Sequence, residues 1–360
     1  MTKSKRQKLK KKAAKKQEAE SLLTENQKED HYVKALLEEA EAEVDSFNYD
    51  EAELKLNEAL IKTPTNSKAL EMLAGVKIEK GEWVEAQCLL KKCIELMPDK
   101  GFSKYFSMGQ LSEGEESLNY YQKGIEIILK ELENSENMEP SENKKDKRSL
   151  SRILSDAYCS VAEIFMTDCC DVENGEMKCS DAVECALKAD STNPEAYQCL
   201  CNFKLSVDQV DEAKEAIEKC LSLWLPQHEA LRDGEIDEED NIPSYDCRIK
   251  ISQLLIELEL YDEATKVLDG LIEEDDEVVQ VWYLLGWMNY IQGDEYKLNA
   301  HYYLIKAKKV SIKTGMEDVD YVAHIHELLD ELKSIVPLDE EDDEENDWAS
   351  CSDSENEMET

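Results

Sequence analysis

The sequence predicts an all-α fold, a solenoid of stacked helical hairpins, and three observations carry that prediction. The first is a spacing. Ala52, Ala59 and Pro64 are followed 34 residues later by Ala86, Cys93 and Pro98. The same small–small–Pro spacing returns at Ala182, Ala189 and Pro194, and Trp282-x-x-Leu285-Gly286 is followed by Ala300 and Ala307. The second is composition: seven prolines, twelve glycines and 41% hydrophobic residues in 360 suit a mostly helical chain. The third is helical periodicity ahead of the small residues, with Leu36 and Ala40 before the first set and Leu70, Leu73 and Ala74 before the second.

A fixed period of this length is the mark of the tetratricopeptide repeat. Each repeat is two antiparallel helices. Small residues sit where the two touch, because only a small side chain lets two backbones approach closely. A closing proline ends the second helix, since it lacks an N–H and disfavours helix in the residue before it. One pair cannot bury its apolar face alone, so pairs stack into a right-handed superhelix with a concave inner surface. About seven hairpins, a C-terminal capping helix and disordered termini are expected.

Taken in order, residues 1–28 read as a basic, then mixed-charge segment. The repeats follow at 31–64, 65–98, 101–133, 150–194, 194–226, 244–276 and 278–313, with a cap at 318–335. The first repeat turns at Asn48-Tyr49-Asp50 and the second at Lys80-Gly81-Glu82. The first helix of repeat three departs from the pattern, because Gly101, Gly109 and Gly114 interrupt it. Residues 134–148 and 232–243 read as insertions, the second with six acidic residues between Asp233 and Asp240. Thr167 to Lys178 is a longer connection than the pattern allows. From 338 to 360 the chain is acidic and low in complexity, too polar to bury a core.

Charge is the second strong signal. The net charge is −41, yet residues 1–16 hold Lys3, Lys5, Arg6, Lys8, Lys10, Lys11, Lys12, Lys15 and Lys16 and no acidic residue. Setting those nine aside leaves −50 on the remainder. Such a field repels nucleic acid and attracts basic partners, so no direct nucleic-acid contact is expected. The basic start reads as a nuclear import signal, which makes an import receptor a second expected partner. No apolar run approaches a membrane span and no secretory segment is present, so the chain is expected inside the cell, in cytoplasm and nucleus, away from membranes.

Nothing in the sequence supports an active site. There is no Gly-rich phosphate loop, no Gly-x-Ser-x-Gly, no His-Glu-x-x-His and no calcium loop. Twelve cysteines and five histidines complete no zinc spacing, and only the group from Cys169 to Cys185 invites a search for metal. Cys93, Cys201 and Cys220 fall where a small residue is required, so free thiols acting as small hydrophobes are expected. Neither cofactor nor metal is expected, and the chain reads as a non-enzyme.

Function is therefore sought on the inner wall, which the first helix of each repeat lines. Early repeats offer Glu38, Glu41, Asp45, Glu71 and Glu79. Middle repeats offer Asp156, Glu163, Gln198 and Asn202, and late ones Asp246, Lys250, Gln253, Glu257, Tyr283, Trp287 and Tyr290. A wall acidic early and aromatic late suits a basic extended peptide, by ion pairing and cation–π contact. A chain this acidic also lines every surface with carboxylates. The places where heat-shock co-chaperones hold a Lys and Asn clamp carry Leu37, Glu41 and Met72 here, the wrong sign for an acidic ligand.

Several segments carry a closer resemblance: the basic start Lys3–Lys16, Tyr49-Asp50-Glu51-Ala52, and Lys104-Tyr105-Phe106-Ser107-Met108-Gly109-Gln110-Leu111-Ser112-Glu113-Gly114 followed by Tyr120-Tyr121-Gln122-Lys123-Gly124-Ile125. The chain is similar over nearly its whole length to the fungal dedicated assembly chaperones of large-subunit ribosomal protein L four. That resemblance implies capture of a newly made basic ribosomal protein of the large subunit, shielding of its long internal loop in the concave groove, and escort to nuclear pre-60S particles. Two other readings stay open on the residues alone: a scaffold subunit of a nuclear complex, and an acidic histone chaperone.

Overall fold

The computed structural model describes residues 25–136, 144–232, 234, 241–315 and 319–333. The basic start and the acidic tail, with the import signal read from one, lie outside these. Among the described residues the chain forms fifteen α-helices, one short 3₁₀ turn and no strand. They pair as seven hairpins: α1 (Glu25–Asp45) with α2 (Tyr49–Lys62), α3 (Ser67–Glu79) with α4 (Trp83–Leu96), and α5 (Ser103–Gln110) with α6 (Gly114–Glu136). Next come α7 (Lys144–Met166) with α8 (Gly175–Ala189), α9 (Pro194–Ser206) with α10 (Val210–Arg232), and α11 (Tyr245–Glu257) with α12 (Tyr261–Glu274). The last pair is α13 (Val279–Ile291) with α14 (Lys297–Thr314), and α15 (Val319–Leu332) covers it. The chain divides into two compact units, residues 1–199 and 200–360, at a boundary within α9.

The second helix of every hairpin carries two buried residues seven apart. They are Ala52 and Ala59, Ala86 and Cys93, Ser117 and Gly124, Cys179 and Ala186, Ala213 and Cys220, Ala264 and Leu271, Ala300 and Ala307. Seven residues is two helical turns, so each pair sits on one line facing the partner helix. Hairpin four shows the register that spacing alone misplaces. The chain leaves α2 and α4 with Thr63 N–H donating to Ala59 and Met97 N–H to Cys93 (2.9 and 3.0 Å). It leaves α8 with Asp190 N–H donating to Ala186 (3.1 Å), so Ala186 rather than Ala189 holds the contact position. Pro194 correspondingly opens α9 instead of closing α8. The first helical position suits proline, whose missing N–H has no intrahelical partner there. Asn193 just ahead accepts from the Glu195 N–H (3.0 Å), much as Asn66 caps α3 by accepting from Ala69 (3.1 Å).

Repeat three is helical where its glycines suggest interruption. A Cβ on Gly109 would fall 2.6 Å from the Tyr121 ring, and one on Gly124 would collide with the Phe106 ring. The two glycines let α5 and α6 close on each other, and Phe106 stacks on Tyr121 at 5.7 Å. The expected insertion at 134–148 shrinks from both ends, because α6 runs to Glu136 and α7 starts at Lys144. The long connection after α7 also shortens, since α8 begins at Gly175. Pro226 lies inside α10 rather than ending repeat five. Leu225 and His228 are buried around it, so packing holds the helix on to Arg232.

An acidic chain must place its few cations carefully, and they sit at seams. Lys77 and Lys80 of α3 reach Glu53 of α2 at 2.7 and 2.8 Å, and Lys80 also reaches Asp50 (2.8 Å). Hydrogen bonds from Lys77 and Lys80 hold the Glu53 carboxyl below its usual range despite partial burial. Arg152 reaches Asp190, Lys204 reaches Glu212 and Arg248 reaches Glu274, each at 2.6 Å across its own hairpin. Eight of the cysteines described are buried free thiols. Burial pushes Cys179 and Cys201 up to about 12, which keeps both thiols protonated and apolar. Among the described residues no group of His, Cys, Asp and Glu could hold a metal ion, and no helix is long and apolar enough to cross a membrane.

Close approach in the Trp282–Gly286 signature has a measurable consequence. A Cβ on Gly286 would lie 2.7 Å from Leu304 of α14, whereas Gly75 in α3 has open space around it. Gly286→Ala is expected to cost about 1–3 kcal/mol by overpacking. Gly75→Ala is expected to gain about 1 kcal/mol from helix propensity. Opposite shifts of the denaturation midpoint, followed by helical circular dichroism, check the pair.

Candidate functional site

The first unit presents its carboxylates along the first helices of its hairpins. Glu38, Glu41 and Asp45 stand exposed on α1, with Glu38 near Lys34 (3.8 Å) and Glu41 near Lys68 (3.4 Å). Exposed pairs of this kind are worth about 0–1 kcal/mol, so an incoming cation can replace either lysine. Glu79 is exposed and accepts from the Tyr49 hydroxyl (3.4 Å). Glu71 is committed differently. It is half-buried, accepts from Ser67 and Ser103 (3.2 and 3.1 Å), and so joins α3 to α5. Beside it the ammonium of fully buried Lys104 donates to the Lys100 carbonyl, and burial lowers its pKa against the pull of Glu71.

Asp156 and Glu163 lie half-buried on α7. Asp156 belongs to a polar cluster that ties α7 to the start of α9. Asn193 donates to it at 2.7 Å and to Ser155 at 2.9 Å, while Arg152 holds Asp190. Burial pushes the Asp156 carboxyl up to about 6, against the Asn193 hydrogen bond and the Arg152 charge. It thus serves this joint rather than standing open on the wall. A cavity of 600 Å³ also lies between α6 and α7, lined by Tyr158, Val161 and Phe165 of α7. At 100° per residue those three face away from Asp156 and Glu163. Gln198 on α9 is buried.

The second unit gathers several of the expected residues into one place. Asp246, Lys250, Gln253 and Glu257 are exposed on α11. Tyr283, Trp287 and Tyr290 form one face of α13, but α15 takes most of it. The Tyr283 hydroxyl lies 2.8 Å from His324 Nδ1, and its ring meets Tyr321 edge-on at 5.0 Å. Trp287 stacks on Tyr290 at 5.9 Å and lies 5.3 Å from the His324 ring, while Tyr290 donates to Glu331. The aromatic end of the expected wall is therefore largely the seat of the capping helix. The sequence reading placed both the cap and the aromatics but not their contact.

What remains open is a cavity of 610 Å³ between α11 and α13. Its apolar side is built by Tyr283, Trp287, Leu284, Ile256 and Ile291, and Tyr261 and Tyr321 add two phenols. Gln253, Glu257 and Glu259 supply its polar groups. Burial raises the Tyr283 and Tyr261 phenols, so both rings stay neutral at any physiological pH. Aromatic faces beside two carboxylates suit a lysine or arginine side chain: the alkyl stem packs on the rings and the charge meets the carboxylates. Glu259, Tyr261 and Tyr321 escape sequence reasoning, because they come from a hairpin turn, the start of a second helix and the cap. One signal was available. Tyr261-Asp262-Glu263-Ala264 repeats Tyr49-Asp50-Glu51-Ala52, and the left-handed backbone at Glu259 (φ 61°) turns the chain there.

The raised Asp156 pKa makes stability depend on pH. The folded state keeps this proton to about pH 6, whereas an unfolded aspartate loses it near about 4. The folded state thus binds more protons in between, and stability falls as pH rises through that window. Asp156→Asn is expected to flatten the fall and to raise stability at pH 7.5 by roughly 2 kcal/mol. Denaturation midpoints from pH 4 to 7.5 check it, and an unchanged slope in the variant refutes it.

Comparisons with known proteins bear on what the wall serves. No family model matches the chain. A Schizosaccharomyces pombe protein described as a probable assembly chaperone of rpl4 is 33% identical over 330 aligned positions, 86% of this chain and 93% of its own. An Emericella nidulans protein of the same description is 28% identical over 248 positions, 66% of this chain and 58% of its own. The solved structure of an assembly chaperone of RpL4 (Acl4, residues 1–338) superposes with a TM-score of 0.63 at 24% identity, covering 74% of this chain and 99% of that one. The Cut9–Hcn1 hetero-tetramer of APC/C superposes at 0.50 with 10% identity, a likeness of fold alone.

Proposed function

Since the chain belongs to the family of the assembly chaperones of rpl4, a non-enzymatic class, we propose that it binds newly made ribosomal protein L4 of the large subunit. In this reading the first-helix faces of the hairpins shield the long internal loop of the client until it joins nuclear pre-60S particles. A ribosomal protein without its RNA carries uncompensated lysine and arginine, and a shell of −41 screens them. The observation that supports this most directly is the cavity where Glu257 and Glu259 stand beside Trp287, Tyr283 and Tyr261. It offers a cationic segment both ring faces and carboxylates, and the exposed Glu38, Glu41, Asp45, Glu79 and Asp246 extend the same sign of charge within each unit. Ribosomal RNA competing for the same cationic surface of the client supplies a route to release.

The basic start belongs to the same proposal. Lys3, Lys5, Arg6, Lys8, Lys10, Lys11, Lys12, Lys15 and Lys16 form a run that an import receptor reads, so the complex works in both cytoplasm and nucleus. Residues 1–28 fused to a reporter protein are expected to draw it into the nucleus, and changing the nine cations to glutamine is expected to abolish the effect.

Binding measured by calorimetry with purified L4 tests the client. Affinity is expected to fall at least about tenfold between 50 and 300 mM salt, as exposed charge pairs are screened. The double variant Glu257→Lys/Glu259→Lys, both at exposed positions, is expected to weaken binding about 10- to 100-fold by putting like charges against the client. Affinity equal at both salts, with the double variant binding like wild type, refutes the reading.

A further inference from the structure

Helix α14 inverts the charge of its surroundings. Residues 297–314 hold Lys297, Lys306, Lys308, Lys309 and Lys313 and no carboxylate, in a chain of net charge −41. Two of these are used: Lys297 pairs with Asp294 and Lys313 with Glu277, each at 2.6 Å. The others find no carboxylate within ion-pair distance among the described residues. Lys306 lies over the ring of Tyr302 instead, 5.7 Å from its centroid, and Lys309 is exposed. Tyr302, Lys306, Lys309 and Lys313 follow each other at i+3 and i+4 spacing and so form one stripe. Apolar groups flank it, with Tyr302 54% and Ile312 72% exposed. A basic stripe in which Lys306 and Lys309 meet no carboxylate among the described residues, with exposed apolar groups beside it, is unexpected on a surface otherwise built to repel anions.

The course of the chain supplies an occupant. Ile325, Leu328, Leu329 and Leu332 pack α15 onto α14. That packing brings the end of α15 to the Lys308 side of α14, about 100° around the helix from Lys309: Asp330 ion-pairs with Lys333 and also feels the charge of Lys308. The acidic run starts at Asp339, six residues beyond Lys333, and residues 338–360 carry twelve carboxylates and no cation. Six extended residues span about 20 Å. Lys306 and Lys309 lie within about 3 Å of Lys308 along the helix axis but on the faces around from it, and a tether of that length spans the roughly 10–12 Å width of the helix to reach them. We propose that the acidic segment 339–347 docks, within the same chain, on the Tyr302–Lys313 stripe of α14. Each exposed ion pair is weak, but tethering holds the carboxylates at millimolar effective concentration and several pairs form together. A free phosphate backbone meets the same lysines only after crossing the field of the rest of the chain, whereas the tail is already delivered by α15.

Zero-length carbodiimide coupling of the full-length protein, an equal mixture of ¹⁴N and ¹⁵N chains, tests the proposal by mass spectrometry. Links from 339–347 to Lys306 or Lys309 are expected within one isotope only. Their yield is expected to drop about fivefold between 50 and 500 mM salt. As a second readout in the full chain, neutralising 339–345 to Asn and Gln is expected to raise acetylation of Lys306 and Lys309 about threefold, because the tethered carboxylates no longer cover them. Mixed-isotope links assign the stripe to a second copy and overturn the proposal. So does the absence of links together with unchanged acetylation. Binding of a poly(U) oligonucleotide that Lys306→Glu/Lys309→Glu abolishes, without tail links, assigns the stripe to nucleic acid instead and overturns it as well.

Discussion

Everything in this molecule depends on how closely two helices of one hairpin approach. The distance is set by two residues seven apart on the second helix, and in six of the seven hairpins both are Ala, Ser, Gly or Cys. Where the approach is tightest a glycine answers from the other side, as Gly286 does against Leu304 and Gly109 against Tyr121. Once that spacing is met, the larger side chains of neighbouring hairpins interlock. Leu56, Leu73 and Val76 do so near the start of the chain, and Leu304, Ile325 and Leu328 do so at its end. A hairpin has no core of its own, so the wall it presents exists only because its neighbours are stacked on it.

The second constraint is charge. A chain with 83 acidic and 42 basic residues repels itself on folding. Part of the answer is a set of lysines and arginines placed between helices. Lys77 and Lys80 join the first two hairpins, while Arg152, Lys204 and Arg248 each close a hairpin of their own. Glu38, Glu41, Asp45, Glu79, Asp246 and Glu257 of the first-helix faces are left exposed or in weak pairs. The anionic surface of these faces is thus the remainder of the balance that holds the stack together.

Function follows from the same arrangement. Buried thiols are held protonated, and the tyrosines of the cavity are held neutral. What the fold provides is a fixed display of carboxylates beside ring faces, rigid because α11 and α13 are helices locked by their neighbours. A chaperone for a protein rich in lysine and arginine needs little more than the right sign of charge, held where the client's extended segment can lie along it.

Local spacing was enough to identify the class of fold, because close helix contact demands small residues and that demand returns after 34 positions from Ala52 to Ala86 and from Cys179 to Ala213. The anionic character of the wall was legible too, since composition alone determines it. Tertiary structure decided the rest. It moved the contact position of hairpin four to Ala186 and made Pro194 a helix start, because the chain leaves α8 at Asp190 and Asn193 caps the helix that Pro194 opens. It drew Glu71 and Asp156 into joints between hairpins, and gave Tyr283, Trp287 and Tyr290 to α15 as much as to the wall. It assembled Glu257, Glu259 and Tyr261, from one turn of the chain, with Tyr321 of the cap into one cavity. Period reports what one hairpin needs of itself; which side chains stay open is settled only when its neighbours occupy the others.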